Sequence, residues 1–205
     1  MTNTIQMVNT GITMGHSQAE KAQSRERILR KAADAVRDTG LESVSVSKLM
    51  RSVDLTHGGF YNHFTSRSDL LAQALERALV EGGRTATTSV TPGDAPRSYE
   101  TQVRGYVSRA HRDARTNGCA IAALASDVAR ADVASRAVMS THIDEFVAQL
   151  AHSLHDQDEG DAMLAVSAMV GAVLLARVQT DPKKSDALLK SVRDRLLALN
   201  RADPV

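Results

Sequence analysis

The sequence predicts an all-α protein, and three observations carry that expectation. Only 4 prolines and 12 glycines punctuate the 205 residues, and between them apolar residues recur with a helical period. Alternating β-branched runs bounded by turns are missing; residues 42–46 come closest and are too short to found a sheet. Hydrophobic residues at 42% and charged residues at 24% describe a globular chain able to bury a core of one compact domain or two small ones.

Taken in order, residues 1–20 open with a Thr-, Asn- and Gly-rich stretch and read as a disordered lead-in. A first helix spans about 24–39, because Ile28, Leu29, Ala32, Ala35 and Val36 fall on one face and Arg25, Arg30, Lys31 and Arg37 on the rest. Gly40 stops it as the residue after the C-cap. A short helix capped by Ser45 turns Val46, Leu49 and Met50 inward, and Val53, Asp54 and Leu55 form a turn. Thr56 caps a third helix, from His57 to about Phe64. A fourth begins near Ser66 with Asp69 in its first turn and carries Leu70, Leu71, Ala74, Leu75 and Leu79. The stretch 82–96, with Pro92 and Pro96, reads as a linker. Five helices follow, over 97–116, 120–129, 133–155, 159–179 and 185–200, separated at Asn117-Gly118, at 156–158 and at Pro182. The expected organisation is a three-helix head at 21–68 and a larger helical body at 69–205.

Charge and cysteine content exclude several classes. Lys+Arg 25 against Asp+Glu 24 leaves +1, which rules out a polycationic coat but not a local basic patch. Cys119 is the one cysteine, so neither an internal disulfide nor a cysteine-based zinc site is available, and a reducing cytoplasmic compartment is expected. The most apolar run, 162–176, is broken by Ser167 and Gly171 and is short for a membrane span. Residues 1–15 have no basic start or apolar run of a secretory signal. No membrane partner and no cofactor are expected.

The functional signal lies between Ser45 and Leu71. Two short helices joined by a three-residue turn have the shape of a helix-turn-helix, whose second helix enters the DNA major groove. Thr56 and His57 suit hydrogen bonds to base edges or phosphates, while Phe60 and Phe64, four apart, point into a small core and Tyr61 and His63 flank them outward. Gly58 and Gly59 cost about 1 kcal/mol each against Ala in a helix, so something besides helix stability favours them. Close approach to a nucleic-acid backbone is one reason, tight helix packing the other. From Lys21 to Arg67 nine basic residues stand against five acidic, a net of +4 that provides for phosphate neutralisation.

The run Leu55-Thr56-His57-Gly58-Gly59-Phe60-Tyr61-Asn62-His63-Phe64, with the preceding 28–40 helix and the following Ser66-Arg67-Ser68-Asp69-Leu70-Leu71, resembles the TetR-type (TetR/AcrR) transcriptional regulators. The strong match covers about a quarter of the chain. The resemblance implies a DNA-binding homodimer, a repressor on a palindromic operator, released when an unknown small-molecule inducer binds the body and spreads the heads. By position it implies phosphate contacts from Tyr61, His63 and Arg67, and places Ser47, Thr56, His57, Gly58 and Gly59 at or near base edges. His57 stands where Lys is frequent and Ser47 where Arg is frequent, so fewer fixed positive charges face the groove.

Cys119 opens the 120–129 helix, where the helix dipole favours a thiolate. The stretch 118–128 is similar to the sixth helix of a family branch in which some members sense electrophiles or oxidants with this cysteine. The plainer reading is a small buried hydrophobe. Tyr106, Met139, His142 and Phe146 are candidates to line a ligand cavity, or are core. His152, His155 and Asp156 lie one turn apart, a spacing more often solvated than metal-binding, so no metal site is expected. Met169, Val173 and Arg177 on one helix, with Leu189, Val192 and Leu196 on the next, read as a dimer surface, the alternative being that they pack inside the monomer. Two rival readings remain: an enzyme with Cys119 and His111 or His142 as a thiol–imidazole pair, for which no third orienting group and no catalytic residues are found, and a helical adaptor that binds proteins without reading DNA.

Overall fold

A computed structural model describes residues 13–85, 97–114 and 118–200. Among these it has nine α-helices, α1 (Thr13–Thr39), α2 (Val46–Arg51), α3 (Arg67–Thr85), α4 (Tyr99–Tyr106), α5 (Arg109–Asp113), α6 (Ala120–Val128), α7 (Val133–Ala151), α8 (Glu159–Val178) and α9 (Pro182–Leu199), and a 3-10 helix at His57–Asn62 between α2 and α3. No strand occurs among the described residues.

Side-chain caps define most of the helix starts. Ser45, Ser98, Ser108, Asp132, Asp158 and Asp181 each accept a backbone N–H from the first turn of the helix they precede. Each such cap is worth about 1 kcal/mol. Pro182 occupies the first turn of α9, where its missing N–H costs nothing. Gly40 closes α1 at φ +83, its N–H returned to the Val36 carbonyl at 2.9 Å.

One continuous apolar cluster runs from Ile28 in α1 to Leu196 in α9. α1 lies along α3, α3 packs in turn on α6 and α7, and α7, α8 and α9 stack in sequence. α3 therefore belongs to both the head and the body. Its C-terminal turns pass through Gly82, expected to start the linker, because a close approach requires glycine there: a Cβ would stand 2.7 Å from the Gly118 carbonyl oxygen. Residues 86–96, the remainder of that linker, lie outside the described residues, as do residues 1–12 and 115–117.

Four expectations are corrected. Residues 13–20 are helical, not a disordered lead-in, and α1 starts eleven positions before Ser24. The stretch 97–116 is two helices, since Val107 leaves helical geometry (φ −87, ψ 66) and Ser108 caps α5 anew. The third helix is a 3-10 helix ending at Asn62, because Gly58 and Gly59 weaken an α-helix of so few residues. The dimer residues are the fourth. Met169, Val173, Leu189 and Leu196 are buried inside the chain, Val192 is half-buried, and Arg177 donates to the carbonyls of His111 and Arg112. The exposed apolar stripe of α8 lies on its other side, on Met163, Leu164, Leu174, Leu175 and Val178. By length and composition alone α8 could cross a membrane, yet seven of its residues are buried in the chain.

Candidate nucleic-acid interface and the buried body cluster

The head is assembled on two turns that the sequence forces. After α2 the chain reverses through Asp54 at φ 59, with Leu55 N–H on the Met50 carbonyl (2.9 Å) and Asp54 N–H on the Arg51 carbonyl (3.1 Å). This double closure ends α2 as a Schellman turn and sets the angle at which the next helix leaves. Thr56 then caps the 3-10 helix, its hydroxyl accepting the Gly59 N–H at 3.3 Å. Phe60 and Phe64 are buried and stacked at 5.6 Å between ring centroids, which anchors the helix from below.

Above that anchor the face is open. Thr56, His57, Gly58, Tyr61 and Asn62 are exposed, and so is Ser47 on α2. Tyr61 stands 68% exposed with its ring edge-on to Phe60, so its hydroxyl projects outward on a fixed base. A Cβ on Gly58 would meet nothing within 4 Å, and one on Gly59 would make only ordinary contacts with Thr56 and Met50. Neither glycine is needed for packing within the chain, and neither has a positive φ. Of the two reasons for a Gly-Gly pair here, only the approach of something outside the chain survives at Gly58.

His63 closes the 3-10 helix, half-buried, with Nδ1 shielded and without a hydrogen-bond partner. Burial, and then the positive charges of Lys21 and Arg25, push its pKa below the ordinary histidine value. Arg67, expected at a phosphate, is spent elsewhere: its guanidinium donates to the carbonyls of Val44 (3.3 Å), Leu41 (3.3 Å) and Glu42 (3.2 Å). It straps the α1–α2 loop to α3, because three backbone acceptors left without helix or sheet partners lie within its reach.

In the body, Tyr106 brings together Phe146, His111 and Cys119. Tyr106 is fully buried, its ring 5.5 Å from Phe146 and 4.3 Å from His111. His111 Nδ1 lies 2.7 Å from the Tyr106 carbonyl and Nε2 accepts the Cys119 backbone N–H at 3.0 Å. Those two bonds fix the neutral Nδ1–H tautomer, and burial holds the His111 pKa low. The lone pair of Nε2 is thus taken by an amide, so His111 is no base for the thiol. Burial and then the Cys119 thiol beside it push the Tyr106 phenol well above its usual range. Met139 is core, and His142 turns to two carboxylates, Glu76 (3.1 Å) and Glu145 (3.6 Å). Among the described residues no three side chains are grouped to hold a metal ion. His152 bonds the Ala148 carbonyl of its own helix through Nδ1.

Residues 28–74 match the family model of bacterial regulatory proteins, tetR family. No curated protein sequence matches the chain. Its fold is similar to that of a TetR-family transcriptional regulator from Cytophaga hutchinsonii, with a TM-score of 0.73 at 18% identity, covering 90% of this chain and 98% of that one. The reduced form of E. coli NemR is similar at a TM-score of 0.68 and 19% identity, with 89% and 100% covered. SCO4454, a TetR-family transcriptional regulator from Streptomyces coelicolor, is similar at 0.61 and 21%, with 88% and 97% covered. The chain thus carries a helix-turn-helix head that matches the tetR-family model over residues 28–74, on a body whose fold is similar to that of these structures.

Proposed function

We propose that the chain is a cytoplasmic homodimeric repressor that holds a palindromic operator with two heads. It lets go when a small molecule enters the body or when Cys119 is modified. The open face around Gly58 carries the reading, because a residue that costs helix stability and packs against nothing is explained by a backbone drawn close from outside. Tyr61 and His57 on the same face supply a hydroxyl and an imidazole to phosphates or base edges. The exposed stripe of α8 suits a two-fold contact with a second copy.

Fluorescence anisotropy on DNA from upstream of the gene, against scrambled DNA and across a salt series, tests the reading. Specific binding that weakens steeply with salt is expected. Tyr61→Ala should cost about 1–2 kcal/mol of binding at every sequence, as the loss of a phosphate hydrogen bond does, and leave the melting temperature unchanged. If random-sequence selection also yields no preferred DNA, the head is a protein dock and the adaptor reading replaces this one.

A further inference from the structure

A cleft of about 440 Å³ opens on the body where the start of α5 meets α9. It is of small-molecule size, and neither the head nor Tyr106, His111 or Cys119 lines it. Asp186, Lys190 and Arg193 follow one another along the face of α9 that forms one wall. Ser108 and Arg109 stand opposite, and the buried Leu189 lies between. The surface offered to the cleft is mostly apolar, because the methylene stems of the arginines and the lysine extend what Leu189 and Ala187 begin.

Charge is not balanced in this cleft. Arg109, Lys190 and Arg193 line it against a single carboxylate, Asp186, a net of +2. Asp186 is already shared between Arg109 (2.6 Å) and Arg112 (2.8 Å). Lys190 holds Asp194, outside the lining, at 2.6 Å, an exposed pair of small worth that opens readily. The Ser108 hydroxyl is occupied, donating to the Gly105 carbonyl and accepting the His111 N–H.

Arg193 is the cation left over. It is half-buried and makes no ion pair among the described residues; Nη1 reaches the Val107 carbonyl at 3.4 Å, long for a hydrogen bond. That contact turns the side chain toward the junction of α4 and α5. Nε is shielded, so the Nη end is what a ligand can reach. A guanidinium that has given up water without gaining an anion is costly, and its paired Nη groups fit a carboxylate two bonds at a time.

We propose that this cleft binds a small organic acid, its apolar body on Leu189 and the methylene stems and its carboxylate on the Arg193 fork, with Lys190 and Arg109 at the rim. An inorganic anion leaves the apolar wall uncovered, and a neutral molecule leaves Arg193 unpaired. The site therefore selects for both halves of its ligand. It stands apart from the DNA-binding reading, and its test needs no DNA.

The test is isothermal titration of the full chain with benzoate at constant ionic strength, beside benzamide, its neutral isostere, and acetate, which lacks the ring. Benzoate should bind once per chain with a dissociation constant on the order of 1 mM and raise the melting temperature as its concentration rises. Benzamide and acetate should each bind about tenfold more weakly, or less tightly still. Arg193→Gln should weaken benzoate by about tenfold or more. Ala187→Glu, which adds a repelling carboxylate at an exposed position of the lining, should do the same with helix content unchanged, whatever Arg193 does for the fold. Lys183→Gln, in the first turn of α9 and outside the lining, should bind benzoate like the wild type. No saturable benzoate binding, benzamide binding as tight as benzoate, or full benzoate affinity in either Arg193→Gln or Ala187→Glu overturns the site.

Discussion

Cys119 illustrates how much a single side chain depends on what surrounds it. Its amide is bonded to His111, its thiol lies against the Tyr106 phenol, and only 5% of the residue is exposed. Burial keeps both of its ring neighbours uncharged, the His111 imidazole deprotonated and the Tyr106 phenol protonated. Any adduct on this sulfur adds volume to a packed site, and overpacking a core by even a few atoms costs about 1–3 kcal/mol unless something moves. What can move is α6, whose first residue follows the cysteine and whose Asp127, near the far end, reaches the Gly40 turn of the head. Cys119→Ser keeps the shape and removes the nucleophile. We expect it to bind DNA like the wild type and to keep that affinity after treatment with N-ethylmaleimide, while the treated wild type dissociates. Dissociation of the treated serine variant would place any thiol-reagent response outside this residue.

At the scale of the elements, the contact between α6 and the end of α1 sets a backbone conformation against a side chain across the head–body junction. Gly40 sits at φ +83, and a Cβ there would run into the Asp127 carboxylate. Gly40→Ala should therefore cost about 1–2 kcal/mol for the left-handed backbone, plus the collision. Urea denaturation of Gly40→Ala, Asp127→Ala and the double variant separates the two, since the double variant should recover the collision and not the backbone cost. Simple additivity would mean that the two residues do not touch. Gly40 was legible as a helix stop and Ser45 and Thr56 as caps, because each acts through its neighbours in sequence. The partner of Gly40 was not legible, as Asp127 lies far along the chain. The overhang of α1 ahead of Ser24 is not legible in the sequence, because its exposed residues 18–23 show no apolar period and its helix rests on propensity alone. The resemblance implies a phosphate contact for Arg67 because the pattern places it beside the recognition helix. Only the fold shows that three carbonyls of the 41–44 loop reach it first.

For the whole molecule the question is how the proposed dimer would hold its two heads at one spacing. The stretch from Lys21 to Arg67 carries +4 and the chain +1, so the remainder carries −3, and DNA is drawn to the head end alone. On the proposed dimeric reading the body would meet a second copy through the apolar surface it leaves open, and among the described residues α8 carries most of that surface. Met163 (54%), Leu164 (55%), Leu175 (56%) and Val178 (70%) are exposed, and a Cβ on Gly171 between them would meet open space. α8 is apolar nearly all round, so its sequence period could not tell this stripe from the buried one holding Met169 and Val173; only the positions of α7 and α9 decide which side faces inward. Leu175→Glu places a charge in the middle of the open stripe without touching the core of the chain. We expect the wild type to elute at twice the 22.0 kDa chain mass in light scattering and the variant at the chain mass, with its helix content intact. Operator affinity should fall with it by two decades or more, about what is lost when two linked heads become independent. A Leu175→Glu protein that stays dimeric would move the two-fold contact off α8, and the half-buried Val192 face of α9 would be the next to be charged.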